Sequence, residues 1–179
     1  MRKIVLISSL AIFVLLSLAS AGMAADHSYV GVKKCKMCHH KAAIGDQYKV
    51  WSGSKHAQAY KVLASDEAKA IAAKLKLEGD PQTLDQCLSC HVTAHGVAAE
   101  LVGKGVKVED GVGCESCHGP GSDYKKNSVM KDKEKAIAAG LIIPDEKTCV
   151  KCHNDKSPTF KEFDFKKMYA KIAHPVPKK

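Results

Sequence analysis

Four segments of this chain repeat one arrangement: Cys35-Lys36-Met37-Cys38-His39, Cys87-Leu88-Ser89-Cys90-His91, Cys114-Glu115-Ser116-Cys117-His118 and Cys149-Val150-Lys151-Cys152-His153. Two thiols three residues apart can form thioethers with the two vinyl-derived carbons of a haem, and the histidine that follows is then held where its imidazole meets the iron. All eight cysteines fall in these segments, so none is left over. A disulfide scaffold or a zinc site would also use paired cysteines, but neither explains the histidine. With nine histidines in 179 residues, the chance that one follows all four pairs is on the order of one in a hundred thousand. The cofactors expected are therefore four covalently bound haem c groups. Cys35, Cys38, Cys87, Cys90, Cys114, Cys117, Cys149 and Cys152 would form the attachments, with His39, His91, His118 and His153 as proximal iron ligands.

The chain opens with Arg2 and Lys3, an apolar run from Ile4 to Leu18, and small residues at Ala19, Ala21, Gly22, Ala24 and Ala25. This is the pattern of a secretory signal peptide, expected over residues 1–24, followed by a single tetrahaem domain over residues 25–179. The apolar stretch is short for a bilayer span and no charged stop follows it, so a retained anchor fits less well. No cysteine lies near the cleavage site to carry a lipid. Export agrees with the motifs, since c-type haems are attached outside the cytoplasmic membrane, and the location expected is periplasmic or extracellular.

A domain of roughly 155 residues in a chain with 6% aromatics has little side-chain core, and porphyrins would replace much of it. The fold class expected is mainly α with extensive loops and little β, a multihaem cytochrome c fold organised around four stacked haems. Short helices are expected over His56 to Leu63, from a Ser65 or Asp66 cap to Leu75, around the second motif, over Asp132 to Ala139 before Gly140, and over Asp164 to Ala173 before Pro175. The Gly96 to Asp110 stretch reads as a short hairpin. The third motif reads as a loop whose glycines, Gly111, Gly113, Gly119 and Gly121, admit unusual backbone angles and close approach to a porphyrin. The motifs begin 52, 27 and 35 residues apart, which is no regular repeat.

Charge excludes one class of partner. The formal net charge is +9, and loss of Arg2 and Lys3 takes it to +7. Haem propionates and ferric irons would bring the oxidised protein to about +3. The lysines are dispersed and aromatics few, so nucleic acid is not the expected partner. A basic rim around an exposed haem edge would suit an acidic redox protein.

Five histidines remain once the motifs are complete. A second imidazole makes an iron low-spin and suited to moving electrons, whereas an empty position leaves room for a small ligand. His56, five residues after Trp51 at the start of a helix, and His174, at the end of the last one, read as distal ligands. His95 lies too near His91 to cross to the other face of its own haem but could reach a neighbouring one. His27, near the N-terminus, stays open between ligand and surface residue, and His40 reads as a surface residue. No Ser/His/Asp set, phosphate loop or carboxylate pair stands out.

The chain resembles the tetrahaem cytochrome c-554 family. The likeness lies in Lys33 to His39, the His56-Ala57-Gln58-Ala59 segment, Cys87 to Val92, the run Gly111 to Gly121, and Phe163-Asp164 leading to the terminal-helix histidine. It covers most of the mature chain, and Gly111 to Gly121 is its most specific part. The resemblance implies an α-helical carrier with haems in closely stacked pairs, His56 as distal ligand of the third-motif haem and His174 as that of the fourth. It also implies a second haem with no distal protein ligand and a first haem served by a histidine just after the third motif. Here the pattern departs, because residues 123–143 contain no histidine. His95 is then the candidate for the first haem. His27 is the candidate for the second, within its own chain or across to a neighbouring subunit as in extracellular cytochrome filaments.

The function expected is an exported carrier that passes single electrons between redox proteins, not an enzyme. The alternatives are a reductase of small nitrogen oxide type molecules at a five-coordinate haem, or a subunit of an extracellular cytochrome filament.

Overall fold

The computed structural model describes residues 27–174. The expected signal peptide and Pro175 lie outside the described residues. Among the described residues there are ten short helices: α1 (Val32–His39), α2 (Gln47–Ser52), α3 (Ala59–Val62), α4 (Asp66–Lys74), α5 (Asp85–His91), α6 (Cys114–His118), α7 (Asn127–Met130), α8 (Lys133–Ala138), α9 (Glu146–Cys149) and α10 (Phe165–Ile172). Turns of 3-10 helix stand at Ala42–Ile44, His56–Gln58, Ala99–Leu101 and Val108–Asp110. The helix starts follow the sequence logic where a short polar side chain is in place. Ser65 accepts from the Ala68 amide at 3.1 Å, Asp132 from Glu134 and Lys135, and Asp164 from Lys167. At α9, Asp145 and Thr148 form a reciprocal capping box.

Two expectations are corrected. The segment from Gly96 to Asp110 forms no hairpin; among the described residues the β pairing is one isolated parallel bridge, Tyr29 with Val102. Its glycines serve the N-terminal lead: a Cβ on Gly103 would sit 2.6 Å from the Tyr29 carbonyl oxygen and one on Gly105 would sit 2.4 Å from that of Val30. The third motif is not a loop either. It is the helix α6 itself, bounded by Gly113 and Gly119, with Gly119 at φ +76° closing it against Gly140 and Ile142.

Among the described residues the buried apolar side chains are few and mostly small: Val32, Ala59, Leu63, Ala72, Pro81, Val92, Tyr124 and Ala136. In place of a large core, one buried carboxylate organises the centre. Glu115, the first variable residue of the third motif, is 3% exposed. It accepts from the amides of Val30 at 2.9 Å, Gly31 at 2.7 Å and Gly121 at 2.7 Å. The lead into α1 and the exit from α6 are thereby tied to one side chain. A Cβ on Gly121 would come within 3.1 Å of that carboxylate.

Replacing Glu115 with Ala strands three amide donors around a buried position. It is expected to cost about 3 kcal/mol or more, read as a lowered denaturation midpoint of the haem-loaded protein. Glu115→Gln should recover only part of the loss, since its amide nitrogen meets donors.

Candidate haem-binding sites

A helix brings residues i, i+3 and i+4 onto one face, so a helical C-x-x-C-H segment presents two thiols and an imidazole together. Three motifs use this directly, with His39, His91 and His118 as the last residues of α1, α5 and α6. In the fourth, Cys149 ends α9 and the histidine follows in a turn, where the His153 amide still bonds back to the Cys149 carbonyl at 3.0 Å.

The ring nitrogens are in the state an iron ligand needs. The Nδ1 of His91 donates to the Ala59 carbonyl at 2.6 Å and that of His118 to Ile142 at 3.1 Å. His39 Nδ1 donates to the side-chain oxygen of Gln47 at 3.1 Å, and the Gln47 amide nitrogen is turned the other way, onto the Ile44 carbonyl. An acceptor at Nδ1 places the proton there and leaves Nε2 with its lone pair. Burial pushes His56, His118 and His153 below the usual imidazole range, His56 further through His153 and His118 further through His174 and His39. These rings therefore stay neutral at pH 7. Phe163 stacks on His153 with centroids 5.0 Å apart.

Two spare histidines meet motif histidines. The rings of His56 and His153 lie 6.0 Å apart, edge to face, and those of His118 and His174 lie 5.9 Å apart in the same manner. A metal–imidazole bond of about 2 Å on each side separates two ring centres by about 6 Å. The pairing is the reverse of the one the resemblance implies: His56 accompanies the fourth motif and His174 the third. His56 is placed by backbone. Its carbonyl accepts from the Val112 amide at 3.0 Å, and the Val112 carbonyl accepts from the Trp51 indole at 2.8 Å.

Thiols from different motifs also influence one another. Cys35 is raised well above the ordinary thiol range, first by hydrogen bonding to Cys114 and then by burial, and Cys114 is lowered first by the same bond. Cys152 is pushed up to about 11, by burial and then by Cys90. Cys117 is raised by burial and then by Cys149. The first motif thus abuts the third, the second abuts the fourth, and the third neighbours the fourth. All eight thiols are free. Among the described residues no group of three or more His, Cys, Asp or Glu side chains is arranged to hold a bare metal ion.

The other candidates lie apart. His95 Nε2 sits 3.1 Å from Asp85, in the first turn of the second motif's own helix, and the structure does not bring it to the first motif. His27 pairs through Nδ1 with Asp123 at 2.7 Å and lies against Gly140. It flanks the third motif rather than the second. His40 is turned back onto the Lys36 carbonyl at 2.6 Å.

A cavity of about 280 Å³ runs along the first and third motifs, lined by Cys35, His39, Cys114, Cys117, His118 and His174 among apolar side chains such as Val50, Leu141 and Ile172. Free thiols beside correctly protonated imidazoles on an apolar wall fit a covalently attached haem. The ring partners that set those tautomers escaped the sequence reading, because two of them are main-chain carbonyls and the third, Gln47, carries no motif.

The profile of the family described as "Cytochrome c554 and c-prime" matches residues 34–119. Cytochrome c-554 of Nitrosomonas europaea is 33% identical over 166 residues, covering 84% of this chain and 68% of that protein. No solved structure matches.

Gly111 is the residue on which the placement of His56 turns. It has φ +63°, and a Cβ there would stand 2.7 Å from the His56 carbonyl oxygen, while its own carbonyl accepts from the Thr93 amide and hydroxyl, each at 3.0 Å. Gly111→Ala is expected to destabilise the protein by roughly 1–3 kcal/mol, measured by chemical denaturation, whereas Gly96→Ala, at φ +75° with open space around its Cα, should cost less.

Proposed function

The chain belongs to the cytochrome c554 and c-prime family, and on that premise we propose that it is an exported carrier of single electrons with four covalently attached haems. Membership makes it a c-type cytochrome of electron transfer. When bound, haem supplies one-electron Fe(III)/Fe(II) chemistry at each site. The rest falls to the chain. Its eight cysteines anchor the cofactors, and His39, His91, His118 and His153 hold the proximal side, the first three with tautomers set by the Nδ1 partners already described and His153 with its ring stacked on Phe163.

The observation that carries this reading is the pair of histidine contacts near 6 Å, His56 with His153 and His118 with His174. Paired imidazoles keep an iron six-coordinate in both oxidation states, which suits transfer over ligand binding. The first and third motifs share one cavity, whose His56 meets His153 of the fourth motif, and Cys90 of the second acts on Cys152 of the fourth; this supports an order of first, third, fourth, second, with the first and second sites as the two ends at which donor and acceptor proteins would dock. Surface lysines, exposed throughout, suit acidic partners. Among the described residues no helix is long and apolar enough to cross a membrane, and the leader over residues 1–24 directs the protein to the periplasm or beyond.

The second site is where an enzymatic role would lie. His95 and His27 are engaged by Asp85 and Asp123, and a five-coordinate iron beside His91 would admit a small nitrogen oxide type molecule.

Intact mass of the exported protein is expected to exceed that of the polypeptide by four haems. Low-temperature paramagnetic resonance should show one additional high-spin ferric haem in His56→Ala and one in His174→Ala, with the change on the fourth and third sites respectively. Unchanged low-spin signals would remove those two histidines from the ligand set. A high-spin signal in the unmodified protein that shifts on addition of nitric oxide would favour the enzymatic reading.

A further inference from the structure

The cavity along the first motif holds one donor with no role so far. His39 supplies one axial position there, its Nδ1 committed to Gln47. A second ligand would come from a side chain lining the same cavity, where the histidine, tyrosine, lysine and methionine side chains besides His39 are His56, His118, His174, Tyr48, Tyr124, Lys36 and Met130. Six of these are engaged by pairing or bonding. His56 is with His153, and His118 with His174. The Tyr124 hydroxyl donates to the Gly119 carbonyl at 2.7 Å, and burial holds its proton on. The Lys36 ammonium lies over the Tyr48 ring, 4.5 Å from its centre, which engages both side chains.

Met130 remains, and its chemistry fits. A thioether is a neutral, soft donor that needs no deprotonation to bind iron. Three rotatable bonds let it reach across an irregular gap. It is the last residue of α7, its amide bonded to the Lys126 carbonyl at 2.9 Å. It leads directly into α8, which Asp132 caps and the buried Ala136 anchors. The segment 123–143, which contains no histidine, thus still sends a side chain able to ligate iron to the lining of this cavity.

We infer that Met130 is the distal ligand of the haem at the first motif, giving it His39/Met130 coordination while the third and fourth sites have paired histidines. The inference rests on the tetrahaem reading above. A thioether in place of imidazole raises the reduction potential. The first site, at one end of the order of sites, is then higher in potential than the third and fourth, and electrons delivered by a reduced partner protein settle there.

The test uses the exported, haem-loaded protein and two variants. The ferric protein is expected to show the far-red sulfur-to-iron charge-transfer band of a His/Met haem. Met130→Leu, which keeps the apolar bulk, should abolish the band and add one high-spin haem by paramagnetic resonance. Met130→His should abolish the band, leave the haem low-spin and lower the highest potential in a redox titration. A wild-type protein without the band, or a Met130→Leu protein with its band and spin count unchanged, overturns the inference. Intact mass separates the two levels: four haems with an unaltered Met130→Leu spectrum defeats Met130 alone, whereas fewer than four haems in the wild type defeats the tetrahaem reading itself.

Discussion

The carboxylate of Glu115 is the contact on which the rest of the arrangement depends. A charged group in a site 3% exposed must be met by donors, and here three backbone amides from two distant stretches meet it. Because Glu115 lies between Cys114 and Cys117, whatever it binds is registered against the third motif. Val30 and Gly31 are so bound, and α1 with the first motif begins at the next residue. The contact between Cys35 and Cys114 follows from that registration.

A second layer of order comes from backbone carbonyls. His91 is oriented by Ala59 at the start of α3, and His118 by Ile142 after α8. Each histidine is thereby locked to an element remote in sequence, in the tautomer that leaves the Nε2 lone pair available. The Val112 peptide does similar work for His56, linking it to Trp51. With so few buried apolar side chains, these polar contacts carry much of the specificity of the protein frame.

The pairings among histidines bear on how electrons would move. His56 and His174 come from opposite ends of the described chain, yet each arrives beside a motif histidine at nearly the same separation and tilt. The first and third motifs line one cavity, and His56 of that cavity meets His153 of the fourth. An interior with paired imidazoles and a thioether at one end would give a wire with a defined downhill end.

Much of this was legible in the sequence. Four C-x-x-C-H segments state a covalent chemistry that depends on residue identity and spacing over five positions, and that much survives any fold. The same holds for local signals such as the caps at Ser65, Asp132 and Asp164, which act within one helical turn. The hairpin expected over Gly96 to Asp110 failed because Gly103 and Gly105 are small to let the N-terminal lead pass, a long-range cause with no local mark. The glycines around the third motif were read as room for a porphyrin, but Gly111 and Gly121 are in close contact with the protein itself, at His56 and Glu115. Which spare histidine joins which motif was decided by tertiary structure alone. A side chain's partner across space depends on where helices of different order in the chain converge, and His56 and His174 are identical in kind, so nothing in their own neighbourhoods could distinguish the fourth motif from the third.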